Sequence, residues 1–177
     1  MLEPYYQQDG ITIYHGDCRK ILPELPKVDL VLTDPPYGYG WNTNYSRFSK
    51  GSKDKKSIVN DHEPIAIDWP DCELIVWGGG FLGLTGKSVL VWDKRDIMGD
   101  SFLSDGETAY WSNGVGTYIC SKNGQQARAQ AGLHPTQKPI KLMRWCIETA
   151  KATGLILDPF MGSGTTLRAA KDLGRQA

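Results

Sequence analysis

Short apolar runs, each bounded by glycine, proline or other turn residues, recur along the chain and predict buried β-strands. A run that ends abruptly at such residues is typical of a strand that enters a loop at the edge of a sheet. We expect a hairpin around Asp9-Gly10, and we expect the strands at 108–111 and 116–119 to pair antiparallel. The predicted strands cover residues 12–14, 29–33, 73–77, 88–92, 108–111, 116–119 and 154–158.

Apolar residues at helical spacing lie between several of these strands and predict helices. The clearest pattern places Ile140, Met143, Ile147 and Ala150 near one helix face. Because strands and helices alternate without a repeat or an internal linker, we predict a single α/β domain over residues 1–177. The predicted helices cover residues 18–25, 139–152 and 165–173, with a further one at 65–72 that Pro70 interrupts.

The first candidate site follows the predicted strand 29–33, where the sequence reads Asp34-Pro35-Pro36-Tyr37. In open α/β sheets the carboxyl edge of the strands is where ligands bind. The loop offers a carboxylate, backbone carbonyls next to prolines that lack N–H groups, and an aromatic ring. This set suits a planar base that carries an exocyclic amino group. A strand-ending turn with an exposed tyrosine is the alternative interpretation.

The second candidate site is the segment 158–166, which reads DPFMGSGTT after the predicted strand 154–158. Its two glycines allow the backbone to approach a ligand closely, and the helix that follows offers unpaired N–H groups at its start. The spacing is not GxGxxG, and no Gly-Lys-Ser/Thr sequence follows, so a phosphate-binding P-loop is not predicted.

Together with His134-Pro-Thr-Gln-Lys-Pro139, these motifs resemble the S-adenosylmethionine-dependent DNA amino-methyltransferases of the circularly permuted beta class, especially small phage-type adenine methyltransferases. Gly16-Asp17 and Trp92-Asp93-Lys94 add to the likeness, which spans roughly residues 11–175. The resemblance implies a Rossmann-like sheet in permuted order. It also implies a catalytic region at about 11–111, a cofactor region at about 132–177 and no separate target-recognition domain.

The resemblance implies transfer of a methyl group from S-adenosylmethionine to the N6 amino group of a flipped adenine in DNA. Taken alone, Asp17 could instead cap the helix near Cys18, Phe160 could be a core residue, and Lys138 could be a solvated cation. The catalytic residues implied are Asp34, Pro35, Pro36 and Tyr37. The cofactor-binding residues implied are Asp17, His134, Lys138, Asp158, Phe160, Gly162, Gly164 and Thr165.

Composition adds little to the predicted function. The 20 Lys and Arg residues balance the 20 Asp and Glu residues, so DNA affinity must come from a local patch. Four scattered cysteines and three histidines predict neither a metal site nor a disulfide framework. Apolar runs of only strand length predict no signal peptide and no membrane span, and hence a cytoplasmic protein. The residues predicted to contact DNA phosphates, unless they form an ordinary solvated loop, are Arg47, Lys50, Lys53, Lys55 and Lys56.

The sequence also departs from the family pattern. Relatives continue past the helix 165–173 into a strand, between the cofactor strand and the N-terminal strand, whose acidic residue holds the ribose. Because the sequence stops at Ala177, we expect a truncated cofactor pocket that binds weakly. We also expect a poorly anchored strand 12–14 and an exposed edge at 154–158 that favours a homodimer. Gly78 and its two following glycines stand where relatives often have an asparagine.

Two alternatives to an adenine methyltransferase follow from these departures. One is an inactive remnant that still binds DNA or the cofactor. The other is an amino-methyltransferase that acts on cytosine N4, on RNA or on a protein glutamine.

Overall fold

The computed structural model describes residues 2–38, 62–95, 104–121 and 137–177. No helix in these ranges is both long and apolar enough to cross a membrane. Two 3-10 turns lie at Leu22–Glu24 and Gly79–Leu82. The α-helices are α1 (Cys18–Ile21), α2 (Ile140–Ala150) and α3 (Thr165–Asp172). The strands are β1 (Tyr6–Gln8), β2 (Ile11–Ile13), β3 (Leu30–Thr33), β4 (Glu73–Trp77), β5 (Ser88–Asp93), β6 (Gly106–Trp111), β7 (Gly116–Cys120) and β8 (Ile156–Leu157).

The described residues form one mixed sheet with the strand order β7-β5-β6-β4-β3-β8, and β1 and β2 form the expected hairpin beside it. Strand β3 runs parallel to both of its neighbours, β4 and β8. The carboxyl ends of these three strands therefore meet at one edge of the sheet. Asp34, Gly78 and Asp158 are the residues that follow them, so both motifs of the sequence lie at this edge.

Strand β3 is at the centre of the core, and all four of its residues are fully buried. Burial on both faces is typical of a parallel strand and explains why its sequence is continuously apolar up to Thr33. Helix α2 buries Met143 and Ile147 as its spacing predicts, and it also buries Leu142 and Cys146. The buried face of α2 is therefore wider than the sequence pattern indicated.

The predicted antiparallel pairing of β6 with β7 is wrong. Strand β5 lies between them, antiparallel to β6 and parallel to β7. The connection crosses the start of β5, where Ser88 is in register with both Trp111 and Gly116. A Cβ atom at Gly114 would overlap the Trp111 ring and the Ser88 hydroxyl. A glycine at this position thus allows the chain to cross over β5 instead of turning back as a hairpin.

The helix predicted at 65–72 is also wrong, because residues 64–70 are neither helix nor strand. Prolines at both ends of that stretch, Pro64 and Pro70, disfavour helical backbone for the residues before them. The first helix is shorter than predicted for a related reason. It continues beyond Ile21 as a 3-10 turn that contains Pro23, whose ring nitrogen cannot donate the next helical hydrogen bond.

The last residues of the sequence join β8 to the N-terminal hairpin. The Ile156 N–H donates to the Gln176 carbonyl over 2.9 Å, and the Thr12 N–H donates to the Ala177 carbonyl over 2.8 Å. The Ala177 N–H in turn donates to the Gly10 carbonyl over 3.0 Å. These residues lie in the place expected for the strand that relatives have between β8 and β2. The bonds of Thr12 and Ala177 anchor β2, so the expectation of a poorly anchored strand is wrong. Strand β8 is the last strand of the six-stranded sheet, as expected, and Gln176 bonds the Ile156 N–H at its edge. Self-association stays a prediction.

We predict that Gly154→Ala destabilises the fold. A Cβ at Gly154 would overlap the Asp29 carboxylate, which accepts a hydrogen bond of 2.7 Å from the Leu155 N–H and fixes the start of β8 beside β3. Loss of this charge-assisted bond should lower the free energy of unfolding by about 1–3 kcal/mol in urea denaturation. Gly80→Ala is the matched control, because a Cβ there meets no atom within 4 Å. Equal effects of the two substitutions would contradict the prediction.

Candidate active site at the carboxyl edge of the sheet

Asp34 follows the buried strand β3, and its carboxylate accepts two hydrogen bonds, one from a nearby residue and one from a distant part of the sequence. The Tyr37 hydroxyl donates to Oδ1 over 2.5 Å, and the Lys138 ammonium donates to Oδ2 over 2.5 Å. Lys138 is 104 residues away along the chain, just before α2. The structure therefore brings Lys138 next to the loop Asp34 to Tyr37, and it fixes both oxygens of the Asp34 carboxylate.

Lys138 is a buried cation with two anionic partners. Its side chain is only 7% exposed, and its ammonium lies 3.0 Å from Glu107 Oε2 and 5.9 Å from the centre of the Trp77 ring. Burial alone would lower the pKa of Lys138, but the carboxylates of Asp34 and Glu107 outweigh it and raise the pKa above the usual lysine value. The resemblance groups Lys138 with the cofactor segment. The contact observed is with Asp34, so a part in cofactor binding stays a prediction.

The Tyr37 ring lies in the space that a side chain at residue 78 would occupy. A Cβ at Gly78 would overlap this ring, and Gly78 also has a left-handed backbone with φ of 64°. Phe81 packs against Tyr37 at 5.3 Å between ring centres and is 55% exposed. The Tyr37 ring and the left-handed backbone therefore explain the glycine at position 78, where relatives often have an asparagine. Sequence reasoning missed Phe81, because only the 3-10 turn after β4 brings it next to Tyr37.

Asp158 follows β8 and is hydrogen-bonded to the neighbouring strand. The Thr33 hydroxyl, at the end of β3, donates to Asp158 Oδ1 over 2.6 Å, and the Phe160 N–H donates to the same oxygen over 3.1 Å. Burial raises the pKa of Asp158 to about 6, although hydrogen bonds from Thr33, Thr166 and Phe160 oppose the rise. Asp158 is therefore a carboxylate that lacks a cationic partner among its described contacts and is held in place by neutral donors.

The glycine-rich turn after Asp158 leads directly into α3. Gly162 and Gly164 have left-handed φ angles of 49° and 77°, and Gly164 is the residue before the first turn of α3. A Cβ at Gly164 would meet no atom within 4 Å, so backbone conformation alone accounts for the glycine and the space in front of the turn is open. Thr165 and Thr166 are buried beneath it. An open turn at a helix start, beside a carboxylate, fits a ligand with both acidic and basic groups.

The remaining candidate residues lie elsewhere or outside the described ranges. Asp17 caps α1, accepts a hydrogen bond of 3.1 Å from the Arg19 N–H and pairs with the Arg19 guanidinium at 2.7 Å. Arg19 lowers the pKa of Asp17 to about 2. The capping interpretation is thus observed, and a cofactor role for Asp17 stays a prediction. Within the described ranges no cluster of side chains could hold a metal ion. The candidates outside those ranges are His134 and the basic residues Arg47, Lys50, Lys53, Lys55 and Lys56.

Residues 91–177 match the model of the N6/N4 DNA methylase family. This match supports a DNA methyltransferase of that family. The methylase is 28% identical to the Escherichia coli (strain K12) protein YubD over 91% of this chain and 80% of YubD. It is also 53% identical to the type II methyltransferase M.HindIII of Haemophilus influenzae, over 25% of this chain and 15% of that protein.

A solved structure confirms the fold of the methylase. The complex of M1.HpyAVI with SAM superposes with a TM-score of 0.52 at 24% identity, over 94% of this chain and 90% of that one. The predicted α/β architecture with a permuted order of motifs is therefore confirmed. The resemblance to the DNA amino-methyltransferases is confirmed as well.

We predict that the contribution of Asp158 to the stability of the methylase falls as pH rises from about 4 to about 6. The raised pKa means that the unfolded chain loses this proton first, so the ionised carboxyl penalises the folded state above pH 6. The cost from Asp158 should reach about 3 kcal/mol at most, at 1.36 kcal/mol for each unit of pKa. Asp158→Asn, which keeps the Oδ1 acceptor, should lack this loss. Urea denaturation of both proteins at pH 4, 5 and 6 tests it, and parallel stability profiles would contradict it.

Proposed function

We propose that this DNA methyltransferase takes a methyl group from S-adenosylmethionine and transfers it to the N6 amino group of adenine. The observation that supports the proposal is the adjacency of two strand ends. Asp34 follows β3 and Asp158 follows β8, and the hydrogen bond from Thr33 to Asp158 joins the two ends directly. A base-binding loop and a cofactor-binding turn on neighbouring parallel strands would place donor and acceptor side by side.

The acceptor side of the site is the loop Asp34 to Tyr37. An adenine amino nitrogen is a poor nucleophile because its lone pair is delocalised into the ring. The Asp34 carboxylate and the Pro35 carbonyl can each accept one amino hydrogen, which frees the lone pair. Each carboxylate oxygen has about two lone-pair sites, and the observed bonds from Tyr37 and Lys138 use one on each oxygen. Stabilisation is greatest in the transition state, as the nitrogen becomes positive.

The cofactor side of the site fits S-adenosylmethionine in its donor set. The turn at Gly162 and Gly164 offers open backbone at the start of α3, and Asp158 offers a carboxylate held by neutral donors. These groups would hold the carboxylate and ammonium ends of the cofactor, with Phe160 and Thr165 beside them. When bound, the cofactor supplies a methyl group activated on a sulfonium, so the protein needs no nucleophile or metal of its own.

Aromatic contact would hold the target base. A base in a duplex must leave the stack to reach this loop. The Tyr37 ring and the exposed Phe81 ring beside it offer apolar faces at the site, and stacking of this kind is worth about 1–3 kcal/mol for each base. The basic segment after the catalytic loop would contact DNA phosphates, with no base-specific contact implied. A cytoplasmic location is part of the same proposal.

Transfer to adenine is tested by nucleoside analysis after incubation with labelled S-adenosylmethionine and unmethylated DNA. We expect label in N6-methyladenine, because Asp at the first position of the catalytic motif is the family tendency for adenine. Label found only in N4-methylcytosine, RNA or protein would overturn the acceptor. Absence of any label together with intact cofactor binding would identify the inactive remnant instead.

The role of Asp34 is tested by Asp34→Asn in the same assay. Loss of the anionic acceptor should lower the rate of methyl transfer by about 10²–10³-fold, as for other preorganised groups at a reacting centre. Asp9→Asn is the control for loss of a carboxylate, because Asp9 is exposed in the turn between β1 and β2 and pairs with Lys171. Equal rates for the two variants would show that the Asp34 carboxylate takes no part in transfer.

A further inference from the structure

A chain of four alternating charges extends from the catalytic carboxylate into the sheet. Lys138 contacts Asp34 on one side and Glu107 on the other. The second oxygen of Glu107, Oε1, accepts a hydrogen bond from the Lys94 ammonium. The order is thus Asp34, Lys138, Glu107, Lys94, with two anions and two cations in contact. The motifs of the sequence gave no indication of Glu107.

Glu107 is fixed in this chain by the sheet. It belongs to β6, where it lies in register with Trp92 of the neighbouring β5. Lys94 follows β5, its N–H donates to the Asp105 carbonyl over 2.8 Å, and its ammonium lies 4.8 Å from the centre of the Trp92 ring. Glu107 and Lys94 are therefore both held by the pairing of β5 with β6. Such a rigid carboxylate can set the position of a long lysine side chain that reaches it from elsewhere.

The neighbouring charges determine the direction in which the pKa of Glu107 and that of Lys138 are shifted. Burial alone would raise the pKa of Glu107, but Lys138 and Lys94 outweigh it and lower the pKa. The ion pairs raise the pKa of Lys138 in spite of its burial. If the Glu107 charge were removed, Asp34 would be the one contacting anion left to Lys138 within the described ranges, with Lys94 as a nearby cation. A buried ammonium in that setting loses its proton more easily.

We propose that Glu107 is a positioning residue that acts through Lys138: it shares the Lys138 ammonium with Asp34 and keeps that ammonium charged and in place. The charged ammonium in turn holds Asp34 Oδ2, so the carboxylate keeps one orientation toward a substrate amino group. The effect on the reaction rests on the function proposed above. The charge sharing itself does not, because it can be measured in the protein without substrate.

The direct test is NMR of the full chain labelled with ¹³C at lysine Cε, with the Lys138 signal assigned by its absence in Lys138→Arg. The titratable and charged groups along this chain of contacts are Asp34, Glu107, Lys94 and Tyr37, with Asp158 near Asp34. In Glu107→Gln the pKa of Lys138 should fall by about 1 unit or more relative to the unsubstituted protein. In Lys94→Met it should rise or stay unchanged. An unchanged Lys138 titration in Glu107→Gln would overturn the proposal.

Kinetics separate positioning from a merely structural role. Glu107→Gln should transfer methyl groups nearly as the unsubstituted protein does near pH 7 and fall behind it progressively as the pH is raised and Lys138 loses its proton. Lys94→Met should show no such alkaline loss. A uniform loss at every pH in Glu107→Gln, with a lowered melting temperature, would assign Glu107 a structural role only. If no variant or parent transfers methyl groups, the proposed function fails while the NMR titration still decides the charge sharing.

Discussion

The ion pair between the Lys138 ammonium and the Asp34 carboxylate joins two segments that are 104 residues apart in the chain. Lys138 has almost no exposed surface, so its charge requires a compensating anion, and removing one partner of such a buried pair typically costs about 3–5 kcal/mol. The energetic need to neutralise Lys138 therefore keeps the start of α2 against the loop Asp34 to Tyr37. It also keeps the Asp34 carboxylate in one orientation.

The strand arrangement makes this contact possible. Because β3 is parallel to both β4 and β8, the loops that follow the three strands converge at one edge. Gly78, after β4, leaves room for the Tyr37 ring, whose hydroxyl holds the second Asp34 oxygen. Asp158, after β8, is joined to the end of β3 through Thr33. The loops that follow β3, β4 and β8 are therefore in direct contact with one another at this edge of the sheet.

Local patterns in the sequence predicted what depends on local chemistry. The apolar run before Asp34 predicted a buried strand, and the glycine-rich turn before α3 predicted an open helix start. The partners of Lys138 could not be predicted, because no pattern near Glu107 distinguishes it from a solvated strand residue. The order of β6 and β7 was missed for a similar reason: the crossing over β5 depends on contacts of Gly114 with Trp111 and Ser88, which pairing rules for consecutive strands do not include.

The central claim is that Lys138 serves the Asp34 carboxylate, which we propose to be catalytic, whereas the resemblance assigns Lys138 to the cofactor. Lys138→Met separates the two roles, with calorimetry for S-adenosylmethionine affinity and single-turnover assays for methyl transfer to DNA. The account predicts that the rate of transfer falls by about 10²-fold while the affinity for the cofactor stays within about threefold. A variant whose cofactor affinity falls as far as its transfer rate, with the fold intact by circular dichroism, would contradict the account.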